Sequence, residues 1–104
     1  MKQSQNSMTE TTFLILLSLV KEKHGYGVIK EIEERTQGRV TIAAGTLYTA
    51  FDILKKKQWI EETSKSEGRR KNYRLTLAGK NALKEERRRL EENLHLYDQI
   101  IGGN

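Results

Sequence analysis

Apolar positions recur along the chain in helical spacing four times, and once they alternate as in strands. Phe13, Leu16, Leu17 and Val20 share a helical stripe, which Leu14, Ile15 and Leu19 widen. A stripe that wide predicts a first helix buried on more than one side. Ser7-Met8-Thr9-Glu10 announces it, because a serine followed three residues later by glutamate can close a capping box. Lys21, Glu22 and Lys23 end it in solvent. The turn His24-Gly25-Tyr26-Gly27 leads into a second helix, with His24 ordering the turn. There Tyr26, Ile29 and Ile32 are three apart and Val28 pairs with Ile32. Tyr26 and Ile32 are read as core, Glu31, Glu33, Glu34 and Arg35 as the wet face, and Gly38 as the stop.

A third helix is predicted over 43–56, with Thr41 a better cap than Ala43. At roughly 100° per residue, Leu47, Phe51 and Leu54 fall together toward the core. Gly45, Thr49 and Asp52 then face outward, with Thr46 and Ile53 on one edge and Tyr48 and Lys55 on the other. The helix thus shows small and hydroxylated residues to solvent and ends in a lysine cluster, Lys55, Lys56 and Lys57.

The period then changes. Trp59-Ile60-Glu61-Glu62-Thr63 reads as one strand, and Tyr73, Leu75 and Leu77, alternating with Arg74 and Thr76, as a second. Residues 64–72 between them are polar and centred on Gly68, so the strands are expected to pair as a hairpin. The last segment, 78–101, reads as a long helix capped by Thr76 or its neighbour. Glu85 with Arg89, Arg87 with Glu91 and Arg88 with Glu92 are opposite charges four apart. Leu83, Leu90, Leu94, Tyr97 and Ile101 step by 7, 4, 3 and 4, a narrow coiled-coil-like seam that asks for a partner helix. Residues 102–104 read as a frayed tail.

Length and charge sharpen the picture. With 104 residues the chain makes one small domain, and a cavity walled by two domains is excluded. A hydrophobic share of 36% against 32% charged is low for a globule, so a second copy is expected to complete some apolar surface. Nineteen Lys and Arg against fourteen Asp and Glu give +5 and a pI of about 9.6, which favours polyanion partners. Lys65, Arg69, Arg70, Lys71 and Arg74 against Glu67 put +4 of that into the hairpin. Without cysteine there is no disulfide, thiolate metal site or cysteine nucleophile. The polar first ten residues are no targeting signal, and the apolar run over 13–20 is too short to span a bilayer; a cytoplasmic protein without membrane contact is the expectation. No nucleophile elbow, phosphate-cradling glycine loop or metal-ligand spacing is present, so neither catalysis nor a cofactor or metal is expected. His95 is placed at the edge of the seam.

The order helix, helix, helix, hairpin, helix is that of a winged helix-turn-helix, a mainly α (α+β) fold with a C-terminal dimerisation helix. Residues 1–77 would form the DNA-binding region and 78–104 the dimerisation helix and tail. The third helix is slender enough for the major groove of double-stranded DNA, about 12 Å wide. The hairpin arginines would reach the neighbouring groove or phosphates, whose acceptors suit guanidinium forks.

His24-Gly25-Tyr26 before a helix, Gly45-Thr46-Leu47-Tyr48 inside the third, and Tyr73-Arg74-Leu75-Thr76-Leu77-Ala78-Gly79 after a basic wing together resemble the PadR-like family over roughly 12–90. That family consists of bacterial winged-helix transcriptional regulators, usually repressors. The chain length is similar to its short branch, in which a single C-terminal helix replaces a larger dimerisation domain. The resemblance implies that Thr46, Tyr48 and Thr49 meet DNA from the recognition helix and Lys65, Arg69, Arg70 and Lys71 from the wing; Lys55, on the same edge of the helix wheel as Tyr48, is counted with them as a DNA-contact residue. It also implies that the final helix swaps against its dimer mate; the seam of Leu83, Leu90, Leu94, Tyr97 and Ile101 would then hold a homodimer, its pairing would call for an inverted-repeat operator, and a small-molecule inducer or partner that prefers one dimer geometry would release it. Thr49 stands where the family commonly has proline, and Asp52 where it often has a basic residue.

Two other functions compete. Some short members bind flat aromatic drugs between subunits through a tryptophan on the last helix. Here that helix offers only Tyr97, while Trp59, expected as core packing, lies on the hairpin; the ligand reading would rest on these two. A winged helix that binds protein rather than DNA is the other, with Asp52 in its favour.

Overall fold

The structure of the chain, a computed structural model, describes residues 8–63 and 70–102. Its helices are α1 (Glu10–Ser18), α2 (Gly25–Arg35), α3 (Ala44–Lys56) and α4 (Leu77–Tyr97), the last continued by a π-helical turn at Asp98–Gly102. Strands β1 (Lys23–His24), β2 (Ile60–Glu62) and β3 (Asn72–Leu75) pair antiparallel in the order β1-β3-β2. Strand β1 is absent from the sequence reading, since two residues are too few to show a period. It pairs Lys23 with Tyr73 and His24 with Asn72.

Thr9 caps α1, its hydroxyl accepting from the Thr12 N–H at 3.2 Å. The Ser7 capping box lies outside the described residues, and Glu10 instead holds Arg39 at 2.7 Å. Ile15, Leu16 and Leu19 are fully buried. Leu17 and Val20 are not, at 45% and 58% exposure, which corrects the expectation that both sides of α1 are covered. Within one chain α2 and α4 are the helices that pack most closely against this one, and together they leave Leu17 and Val20 in solvent.

His24 caps α2, its Nδ1 accepting from the Gly27 N–H at 3.2 Å. Val28 and Ile32 face the core, but Tyr26 is exposed. It sits two residues before Val28, roughly 200° round the helix, and so cannot share that face. The helix stops at Arg35, ahead of Gly38. Gln37 and Gly38 then both take left-handed φ, +53° and +80°, and the Gly38 N–H donates to the Glu33 carbonyl at 2.8 Å.

Ala43 precedes α3 with no side-chain cap, so Thr41 does not fill that role. Leu47, Phe51 and Leu54 are buried as expected. The hairpin returns to close the core over them. Phe51 and Tyr73 rings meet at 4.3 Å, and Trp59 is buried just ahead of β2. Leu77 does not extend β3. It opens α4 and is exposed, because Thr76 has already capped that helix by accepting from the Gly79 N–H at 3.0 Å.

The first three turns of α4 lie on the body of the protein, burying Ala82, Leu83 and Glu86. Every described residue from Glu91 onward is exposed, and the molecule measures 59 × 29 × 21 Å. The α4 ion pairs are Arg87 with Glu91, Arg88 with Glu85 and Glu92, and Arg89 with Glu86 rather than Glu85.

Candidate nucleic-acid interface

Helix α3 presents a continuous outward face. Gly45, Thr46, Tyr48, Thr49, Asp52 and Ile53 are all exposed, while Leu47, Phe51 and Leu54 root the helix in the core. Two of the six have side chains short enough to leave the α3 backbone open to close approach, and Gly45 has none. Tyr48 is fixed rather than loose. Its ring meets Phe51 edge-on at 5.8 Å, and its hydroxyl lies 2.8 Å from where a Cβ on Gly25 would stand. Glycine at that position lets the N-terminus of α2 seat against α3.

The lysines at the end of α3 are not equivalent. Lys55 donates to Glu62 on β2 at 2.9 Å, and that carboxylate holds its ammonium above the usual lysine range. Lys57 lies 4.6 Å from the Trp59 ring centroid, a cation–π contact. Lys56 is exposed and, among the described residues, has no ion-pair partner. Sequence reasoning chose Lys55 on its wheel position, where the helix end in fact turns that side chain toward the sheet. Lys56 carries the available charge.

Of the wing cations, Lys65 and Arg69 lie outside the described residues. Arg70 and Lys71 are described, exposed and adjacent to β3. Lys71 is loosely paired with Glu62 at 3.9 Å, whereas Arg74 is taken by Glu61 at 2.7 Å. Arg70 extends toward α2 and brings Nη1 to 3.3 Å from His24 Nε2. A cavity of about 280 Å³ opens there, lined by His24, Tyr26, Tyr48, Arg70, Lys71 and Tyr73. It joins α3, the N-terminus of α2 and the base of the hairpin. Burial pushes the Tyr73 hydroxyl above the usual tyrosine range, so it stays a neutral group in this cationic setting.

Behind this face, Glu31 of α2 ties three elements together. It accepts from Ser18 of α1 at 2.7 Å, from Arg35 at 3.0 Å, and pairs with Lys23 of β1 at 3.1 Å. The Ser18 hydrogen bond, followed by those of Arg35 and Lys23, lowers its carboxyl to about 2.

Of the five seam residues, Leu83 belongs to the protomer's own core. Leu90, Leu94, Tyr97 and Ile101 are exposed on α4 and its π-helical continuation. Leu96 and Ile100 are exposed beside them, a broadening the strict seam spacing did not register. Leu90 also borders a cavity of about 300 Å³ with Met8, Phe13 and Leu14. Trp59, weighed as a ligand residue, is packed in the core, and Tyr97 is on the exposed half of α4. Among the described residues no group of His, Asp or Glu side chains is placed to hold a metal ion, and no helix is long and apolar enough to cross a membrane.

A helix rooted at i, i+4 and i+7, turned outward beside a cationic two-stranded wing, defines the winged helix-turn-helix class of DNA-binding proteins. The chain belongs to the PadR-like family of transcriptional regulators, whose family model matches residues 14–85. Membership places it among regulators rather than enzymes. It is 34% identical over 95 residues to an uncharacterized protein of Lysinibacillus sphaericus, covering 88% of this chain and 87% of that one. The structure of a transcriptional regulator from Clostridium thermocellum superposes with a TM-score of 0.74 at 28% identity, covering 86% of this chain and 87% of that chain. The Bacillus subtilis PadR, solved in complex with operator DNA, shares the fold with a TM-score of 0.65 at 24% identity, covering 75% of this chain and 46% of that chain.

Proposed function

We propose that the chain is a repressor that binds double-stranded operator DNA as a homodimer, with α3 in the major groove and the wing on the flanking phosphates. The observation that carries this reading is the outward α3 face set beside Arg70 and Lys71 with only one acid, Asp52, on the helix surface. Thr46, Tyr48 and Thr49, all exposed on that face, would touch base edges or phosphates. Arg70, Lys71 and Lys56 supply charge, joined by Lys65 and Arg69 of the wing. The DNA-bound state of the Bacillus subtilis PadR supports this use of the shared fold.

The second copy is called for by α4. Its outer half carries Leu90, Leu94, Leu96 and Tyr97 into solvent, and Ile100 and Ile101 continue the surface. A charged helix gains little by holding such residues out alone, whereas pairing with its own copy would bury them. Residues 1–77 then act as the DNA-reading unit and 78–104 as the clamp. Two-fold pairing repeats the half-site, so the operator is expected to be an inverted repeat.

Selection of genomic fragments by the purified protein, followed by a salt titration on the winner, tests the reading. Recovery of one inverted repeat, with affinity falling as a steep power of salt concentration, is the expected result. A flat salt response or no enrichment would refute it.

A further inference from the structure

The cavity between α2, α3 and the wing contains a conflict of hydrogen-bond donors. His24 Nδ1 accepts from the Gly27 N–H at 3.2 Å, so a neutral ring carries its single proton on Nε2. Nε2 therefore points an N–H outward. Facing it at 3.3 Å is Arg70 Nη1, and a guanidinium can only donate. Neither group satisfies the other. An oxygen acceptor placed at the mouth of the cavity would satisfy both.

The surroundings specify that acceptor's charge. The other lining residues are Lys71 and three tyrosines, with no carboxylate among them. Tyr26 and Tyr48 are exposed, and each carries a hydroxyl that can donate. The N-terminal turn of α2, whose dipole favours negative charge, forms one wall. An oxyanion with several acceptor oxygens fits this set, and the position, beside the outward face of α3, is where a duplex backbone would pass.

We propose that this notch is the seat of one DNA backbone phosphate, gripped by the His24 Nε2–H and the Arg70 guanidinium together. The grip rests on the DNA-binding reading above. It makes His24 a direct contact as well as a helix cap, and it locks the wing base to α2 when DNA is bound. Because a phosphate carries no base identity, the contact sets position and affinity rather than sequence choice.

His24→Asn keeps a side-chain acceptor for the Gly27 N–H while removing the outward N–H. Arg70→Gln alters an exposed side chain and leaves the cap alone. Binding of each variant, and of the double variant, to the selected operator and to an unrelated duplex is measured by fluorescence anisotropy, with circular dichroism confirming the fold. Each single change should weaken both duplexes by about tenfold, the scale of a hydrogen bond to a charged group. The double variant should lose clearly less than the product of the two, since both hold one phosphate. A scan of single methylphosphonate substitutions along the operator should reveal one position in each half-site that weakens the native protein but not His24→Asn. Native-like affinity in a folded His24→Asn, strict additivity, or a silent scan would overturn the proposal while leaving the DNA reading intact. Failure of the native protein to bind any duplex would overturn both. Saturation of the His24 ring ¹⁵N shift by millimolar inorganic phosphate, with no effect on duplex affinity, would assign the notch to a free anion instead.

Discussion

The carbonyl oxygen of Trp59 occupies the space in which a side chain on Gly79 would begin, and Leu75 Cδ1 crowds the same point. This contact lets the first turn of α4 lie directly on the end of the hairpin. The neighbouring hydrogen bonds depend on it: the Thr76 N–H donates to the Trp59 carbonyl at 3.0 Å, and the Thr76 hydroxyl donates to the Gln58 carbonyl at 2.6 Å. Alanine is the better helix former by about 1 kcal/mol, yet backbone cannot move aside for a methyl. Gly79→Ala should therefore destabilise the protein by about 2–3 kcal/mol in urea denaturation. Gly45→Ala, where the added methyl meets open space, should be neutral or slightly stabilising. Equal effects at the two glycines would refute the packing account.

Glu31 makes stability depend on acid. Its carboxyl is lowered from 4.5 to about 2 by Ser18, Arg35 and Lys23. A depressed folded-state value means the stabilisation is complete above about 4.5 and is lost as pH falls toward about 2. Its size at neutral pH is on the order of 2–3 kcal/mol, the side chain being only part exposed. Glu31→Gln should be less stable than the native protein by that amount at pH 7, and the two should converge near pH 2. Denaturant midpoints followed by circular dichroism across that range give the comparison; parallel curves would rule the carboxylate out as the cause.

Leu90 and Leu94 are 43% and 63% exposed within one chain, so replacing them with aspartate costs the protomer little. Between two copies of α4 the same changes would bury charge without a partner. Leu90→Asp with Leu94→Asp should yield a folded monomer at micromolar concentration by light scattering, with the helical signal of the winged domain kept and duplex affinity sharply reduced. A dimer that survives both changes would place the subunit contact elsewhere.

Much of this arrangement was legible in the chain. Leu47, Phe51 and Leu54 declared the buried face of α3 by spacing alone, and Thr76 declared its cap by chemistry at a helix start; His24 was legible only as a turn residue, and its role as the α2 cap came from the structure. What stayed hidden depends on contacts between distant segments. Leu17 and Val20 share a periodic stripe with Leu16, and only the positions of α2 and α4 decide which of them is covered. Leu83 fits the α4 seam by spacing but falls where that helix still crosses the core. Strand β1 exists because Lys23 and His24 meet Asn72 and Tyr73 across the sheet. The same pairing brings His24 to Arg70, 46 residues away, which no local pattern could announce.

Asp52 lies on the outward face of α3 and, among the described residues, makes no hydrogen bond or ion pair. Against a duplex it repels phosphates, but a carboxylate can also accept from a cytosine amino group in the major groove. These roles predict opposite signs on different DNA. Asp52→Asn should bind unrelated duplexes more tightly, because repulsion is relieved, and should show a steeper salt dependence there. On the selected operator the gain should shrink or reverse if a cytosine contact is lost, a loss worth about 1–3 kcal/mol of discrimination at one base pair. Competition binding on operators mutated one pair at a time reads this directly. Relaxed choice confined to one symmetric pair of positions would identify Asp52 as a base-reading residue, and a uniform gain on every sequence would limit its role to repulsion.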